Sequence, residues 1–241
     1  MKKIKRIPSL IFRWALTHKL FLCKLIFLAL MITPVIIVTR TWLISHTEQR
    51  PSDTPDAFVL EEQTEGFTCG LHAISTVYRA YGLGADEERL RRRMGVDVKA
   101  VFYVPDSTGT LHPDMYMVLA QDFFDVYTLD NYGEVGWAGL VKHLDEGHPA
   151  VLLIKRRENG NLHWVVATRT LEADTIEIYD SLFDGPYAEA PDFLSEFVVT
   201  TMLVKPTADG EMAMSSVDAH LAGMSALTDA TKRMQALEKG D

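Results

Sequence analysis

The sequence predicts an α+β domain in which helices lead and an antiparallel sheet follows. Two observations carry that prediction. Four segments with helical apolar spacing lie between residues 69 and 147, and four β-rich runs separated by short turn-like stretches lie almost wholly after them. Apolar residues make up 47% of the 241-residue chain and charged residues 24%, the makeup of a protein with a core rather than a disordered one.

The first helix is expected over 69–82 (CGLHAISTVYRAYG), where Leu71, Ile74, Val77, Tyr78 and Tyr81 share one stripe and Gly82 ends it. Residues 86–93 (DEERLRRR) read as a second helix whose arginines face solvent, balanced by the acids before them. Residues 112–123 and 135–147 suggest a third and a fourth, the last stopping at Gly147. Strands are expected at 150–155 (AVLLIK), 163–170 (HWVVATRT), 175–180 (TIEIYD) and 197–204 (FVVTTMLV), with 98–104 as an edge strand. The folded unit is expected over 58–205, after a polar, proline-bearing linker at 45–57. Residues 206–241 read as a helical or partly disordered tail. In it Ser215 and Asp218 suit a capping box, and Val217, Leu221, Met224, Thr228, Thr231 and Met234 form a weak apolar stripe. The first reading is that this tail packs on its own domain; the second is that its helix binds a protein partner.

Charge is unevenly spread. Residues 1–50 hold nine Lys/Arg against one acid, Glu48, a formal +8, and the other 191 residues hold 15 basic against 32 acidic groups, a formal −17. So acidic a domain repels nucleic acid, and no nucleic-acid partner is expected. The basic excess belongs to the N-terminus. Seven Lys/Arg precede the apolar run LIFLALMITPVIIV (25–38), which becomes 19 residues with LFLC (20–23) and the intervening Lys24. A span needs about 20 residues. Residues 1–44 are therefore read as a cytoplasmic basic tail and a single membrane anchor spanning about 20–39, with the domain outside the cytoplasm. No small-residue cleavage site follows the run, so an anchor is preferred to a removed signal peptide.

The two cysteines are Cys23, within the anchor, and Cys69, so no disulfide is expected inside the domain. A thiol attacks as thiolate, and a helix N-terminus favours that charge. Cys69 opens the 69–82 helix. Such chemistry also needs an imidazole to shuttle the proton, a group to orient the imidazole, and donors for the oxyanion. His163 opens one strand and Asp180 ends the next. If these strands form a hairpin through 171–174, the start of one lies beside the end of the other. Gln63, six residues before Cys69, offers a side-chain amide, and the Cys69 N–H a second donor. His72, three residues after Cys69, is preferred as a core or surface residue over a second imidazole at the thiol. His112, His143 and His148 lack metal-ligand spacing, so no metal and no cofactor is expected.

Taken together, QTEGFTCGLHAISTVYRAYG, HPAVLLIK, NLHWVVAT and IEIYDS resemble the papain-like cysteine peptidases over about 58–205. The nearest branch is the bacteriocin-processing, double-glycine leader peptidases and their stand-alone relatives. The resemblance implies a papain-like fold and a thiol peptidase acting on a peptide or protein substrate. It makes Cys69 the nucleophile, His163 the general base and acid, Asp180 the orienting group and Gln63 the oxyanion donor. The chain departs from that branch at Thr68, where relatives often carry Asp, and at Ser181, where they commonly carry Pro. Two other functions fit the same residues: a peptide-binding module that does not cleave, and a transglutaminase-like acyl transferase.

Overall fold

The computed structural model describes residues 50–59, 61–63, 65–96, 110, 112–208 and 214–239. The expected anchor at 20–39 and the edge strand at 98–104 lie outside them. No helix among the described residues is long and apolar enough to cross a membrane.

The first helix, α1, runs Cys69–Ala80. Its end is a Schellman closure: Gly82 sits at φ +71°, and the N–H groups of Gly82 and Leu83 bond back to the carbonyls of Arg79 and Tyr78. Helix α2 spans Glu87–Arg93, capped by the Asp86 carboxylate, which accepts from Arg89 N–H at 3.1 Å. Helix α3 spans His112–Gln121, strand β1 Phe124–Tyr127, helix α4 Glu134–Asp145 and strand β2 Ala150–Lys155. Strand β3 (Leu162–Leu171) and strand β4 (Thr175–Tyr179) form the expected hairpin. The turn between them places Ala173 and Asp174 at positive φ, and Trp137 Nε1–H holds Asp174 Oδ1 at 3.0 Å. Then come strand β5 (Tyr187–Glu189), helix α5 (Pro191–Glu196), strand β6 (Val198–Pro206) and helix α6 (Ser216–Lys239). The sequence pattern did not announce β1, β5 or α5, each six residues or shorter. Such runs carry too few side chains to display a period.

Among the described residues six strands pair antiparallel in the order β1-β6-β2-β3-β4-β5. Helices cover both faces. On one, α1, α2, α3 and α6 pack with Val151, Leu153, Trp164, Val166, Val199 and Met202. On the other, Trp137, Leu140 and Leu144 of α4 and Phe193 and Leu194 of α5 pack on Leu152, Ile154, Val165, Ile176 and Ile178. Burial on both faces explains why AVLLI reads as an unbroken apolar run rather than an alternating one.

Two expectations about helix faces are corrected. Arg93, expected in solvent, is buried and bridges Asp122 at the end of α3, with Nη1–Oδ2 at 2.5 Å and Nη2–Oδ1 at 2.9 Å. Tyr78 of α1 donates to the same carboxylate, so one carboxylate ties three helices together. Burial in the first place, with Asp122 beside it, pushes the Tyr78 phenol well above its ordinary pKa. In α6 the first part of the expected stripe faces outward, with Val217 67% and Leu221 60% exposed, while Met234 at its end packs against the core. The helix turns small residues inward instead: Ala219, Gly223, Ala226 and Ala230. A Cβ on Gly223 would lie 2.5 Å from Pro113 Cα, so α6 approaches α3 more closely than large side chains permit.

Asp122→Ala leaves the Arg93 guanidinium buried without its counter-charge. It should cost about 3–5 kcal/mol in denaturant unfolding, and Arg93→Met combined with Asp122→Leu should recover most of that loss.

Candidate active site

Helix α1 brings Cys69 to the sheet end-on. Thr68 caps it by backbone position alone: its hydroxyl donates to Glu65 O at 2.9 Å within the preceding turn, and the first helical turn carries no acid. The N–H groups at this end are thus not taken by a capping side chain and face no competing negative charge. Gly70 permits the approach. A Cβ there would meet Thr110 Cβ at 2.7 Å and Trp164 Cδ1 at 3.0 Å. Trp164 directly follows His163 on β3, so this contact sets the distance between the thiol and the imidazole.

The hairpin does the rest. Val166 pairs with Tyr179, and the ladder places the start of β3 alongside the residues that follow β4. His163 Nε2–H donates to Asp180 Oδ1 at 2.6 Å. The same oxygen accepts the Leu182 N–H at 2.9 Å, which fixes the carboxylate. His163 and Asp180 are both nearly fully buried. With Nε2 committed, Nδ1 is the nitrogen left for the thiol, and Cys69 and His163 lie close enough for each to shift the other's pKa.

The electrostatics follow from these contacts. For His163, burial works against the charged form, but the bond to Asp180, then that to Cys69, outweighs it and lifts the pKa to about 9. For Cys69, burial works against the thiolate, and the bond to His163 with the N–H groups of Trp164 and Gly70 overcomes it, lowering the thiol's pKa. Both shifts favour a thiolate–imidazolium pair.

Gln63 is brought to the same place. Its Oε1 accepts the Ser181 hydroxyl at 2.7 Å, and its backbone N–H donates to Ser181 O at 2.9 Å. Nε2 donates to Glu65 O at 3.2 Å, which leaves one amide proton uncommitted among the described residues. Ser181 therefore orients the amide. All four sequence-predicted residues, Cys69, His163, Asp180 and Gln63, converge here. His72 does not join them; it is buried, and the charges acting on it are chiefly Glu87 and Glu61. No group of His, Cys, Asp or Glu among the described residues could hold a metal.

The sequence reading missed the cavity beside the thiol. Cys69, Phe67, Trp164 and His112 line one part of it, and Leu227, Ala230, Thr231 and Met234 of α6 line another. The small-residue spacing at 219, 223, 226 and 230 was the available signal, because it marks a helix face built for close packing.

No family profile and no curated protein matches this chain. Solved structures similar to it include the peptidase domain of Streptococcus ComA, a bi-functional ABC transporter involved in quorum sensing. That match has a TM-score of 0.48 and 15% identity, and covers 63% of this chain and 100% of that one. Another is a double-glycine motif protease from an AMS/PCAT transporter, in complex with the leader peptide. Its TM-score is 0.47 at 15% identity, covering 66% of this chain and 100% of that one.

A thiol with a lowered pKa stays anionic as pH falls, so iodoacetamide should alkylate Cys69 with a midpoint below the ~8.5 of a free thiol. In His163→Ala the midpoint should rise above that of the wild type, since burial is then opposed by less. Gly70→Ala should push Trp164 and Thr110 away, separate thiol from imidazole, and raise the midpoint in the same assay.

Proposed function

We propose that this protein is a cysteine peptidase of papain-like fold, with Cys69 as nucleophile, His163 as acid and base, Asp180 as orienting group and Gln63 as oxyanion donor. The observation that carries the reading is the His163–Asp180 hydrogen bond set against Cys69 at the N-terminus of a helix, with thiol and imidazole shifting each other's pKa. In this mechanism the Cys69 thiolate attacks the peptide carbonyl carbon. The C–S bond forms as the carbonyl π electrons move onto oxygen. The Gln63 Nε2–H and the Cys69 N–H hold that oxyanion. As it collapses, the C–N bond breaks and His163 Nδ1–H gives its proton to the departing amine. Water then attacks the thioester, His163 takes its proton, and the acid and the thiolate are released.

A membrane location belongs to the same proposal. The basic residues before the apolar run at 20–39 support a cytoplasmic N-terminus with the domain on the far side. Phosphatase fusion at the C-terminus tests it, and activity only on the cytoplasmic side would overturn it.

Full-length protein incubated with a proteome-derived peptide library in H₂¹⁸O should generate new C-termini carrying one heavy oxygen. Cys69→Ala should abolish them, and Gln63→Ala should lower kcat about 10²–10³-fold with a smaller change in KM. Binding without new termini would favour the non-cleaving module. New amide bonds to an added amine, without labelled carboxylates, would favour the acyl transferase.

A further inference from the structure

We propose that the cavity beside Cys69 is the subsite that selects the substrate. It would seat one uncharged side chain with an apolar body and a hydrogen-bonding tip, and tyrosine fits this description best. The proposal rests on the peptidase reading above and adds the class of residue recognised.

Position is the first argument. Cys69 itself lines this cavity of ≈ 250 Å³, so a side chain seated there belongs to a residue next to the bond under attack. The walls are the second. Phe67, Leu162 and Trp164 meet Leu227 and Met234 of α6 across the space, so aromatic and aliphatic surface surrounds the occupant.

Charge is the third argument. Apart from Cys69, the nucleophile itself, no described residue lining the cavity carries a charge near pH 7. The one titratable group besides Cys69 is His112, whose pKa burial lowers to about 4, so it is neutral near pH 7. A lysine, arginine, aspartate or glutamate entering here loses its hydration and meets no counter-charge beyond the Cys69–His163 pair, whose two charges offset each other. The acidic exterior of the domain thus attracts cations that this cavity rejects.

The fourth argument concerns the tip. Two polar atoms at the cavity are buried and have no hydrogen-bond partner among the described residues, Thr110 Oγ1 and His112 Nε2, on residues 7% and 2% exposed. His112 packs edge-on against Trp164, with ring centroids 4.8 Å apart, which places the imidazole against the cavity wall. A hydroxyl donates and accepts, and a neutral imidazole nitrogen does one or the other. Together they suit a phenol, which also does both. An apolar tip leaves both atoms unpaired, and buried polar groups left unpaired are what makes a pocket discriminate.

The test uses full-length protein and N-acetyl chloromethyl ketones of glycine, phenylalanine, tyrosine, lysine and glutamate. Each rate of Cys69 alkylation is divided by that of iodoacetamide. Tyrosine should exceed phenylalanine about tenfold, the worth of one good hydrogen bond, and both should exceed lysine and glutamate. Thr110→Val should bring the tyrosine-to-phenylalanine ratio toward one. Thr231→Trp, an exposed change at the α6 rim, should cut the tyrosine-to-glycine ratio. A flat series, or lysine or glutamate matching tyrosine, overturns the proposal. Because alkylation needs no peptide cleavage, these ratios decide the subsite whether or not the peptidase reading survives its own assay.

Discussion

The close approach of α1 to β3 is the constraint on which the site depends. Gly70 leaves no side chain between the helix and Trp164, so the thiol that begins α1 comes within hydrogen-bonding reach of the imidazole one residue before that tryptophan. A helix kept at ordinary distance by a larger residue would place the same cysteine and histidine in the same order along the chain, too far apart to share a proton. The reason for Cys-Gly at a helix start is therefore steric as much as electrostatic. The helix end favours the thiolate, and the missing Cβ delivers it.

Around that contact the fold supplies rigidity from two directions. The β3–β4 hairpin holds His163 against Asp180, and the Leu182 N–H pins the carboxylate in turn. On the helical side, the buried carboxylate of Asp122 gathers Tyr78 of α1 and Arg93 of α2 onto α3. Both limit how far α1 can shift relative to the sheet, and so how far the thiol can drift from the His163 imidazole. Ser181 extends the same economy to Gln63, since a single residue after Asp180 ties the upstream loop to the hairpin by a side-chain and a backbone bond.

Helix α6 joins this arrangement from the far end of the chain. Its inward face is alanine and glycine, so it lies close on α3 and carries Leu227 and Met234 to the edge of the thiol's cavity. Its bulkier residues Val217 and Leu221 are left outside. The last segment of the chain thereby shapes the space next to the first residue of the first helix. Apart from the thiol itself, the uncharged and largely apolar lining of that space also contrasts with the formal −17 of residues 51–241. Long-range charge governs what approaches the domain, while local desolvation governs what enters it.

By itself the sequence determined the long helices and the central strands, because apolar spacing over ten or so residues reports the buried face directly. It also marked Cys69, Gln63, His163 and Asp180, since a cysteine at a helix start and a histidine and aspartate at facing ends of a hairpin follow from local pattern and pairing geometry. The tertiary structure alone decided which faces are buried where close packing overrides hydrophobicity. It turned Arg93 inward because Asp122 waits there, and it turned the alanines of α6 inward because only small residues fit against Pro113. It alone also built the cavity, which draws on residues from position 66 to position 234. Periodicity describes one element at a time, whereas a cavity is the space that several elements leave between them.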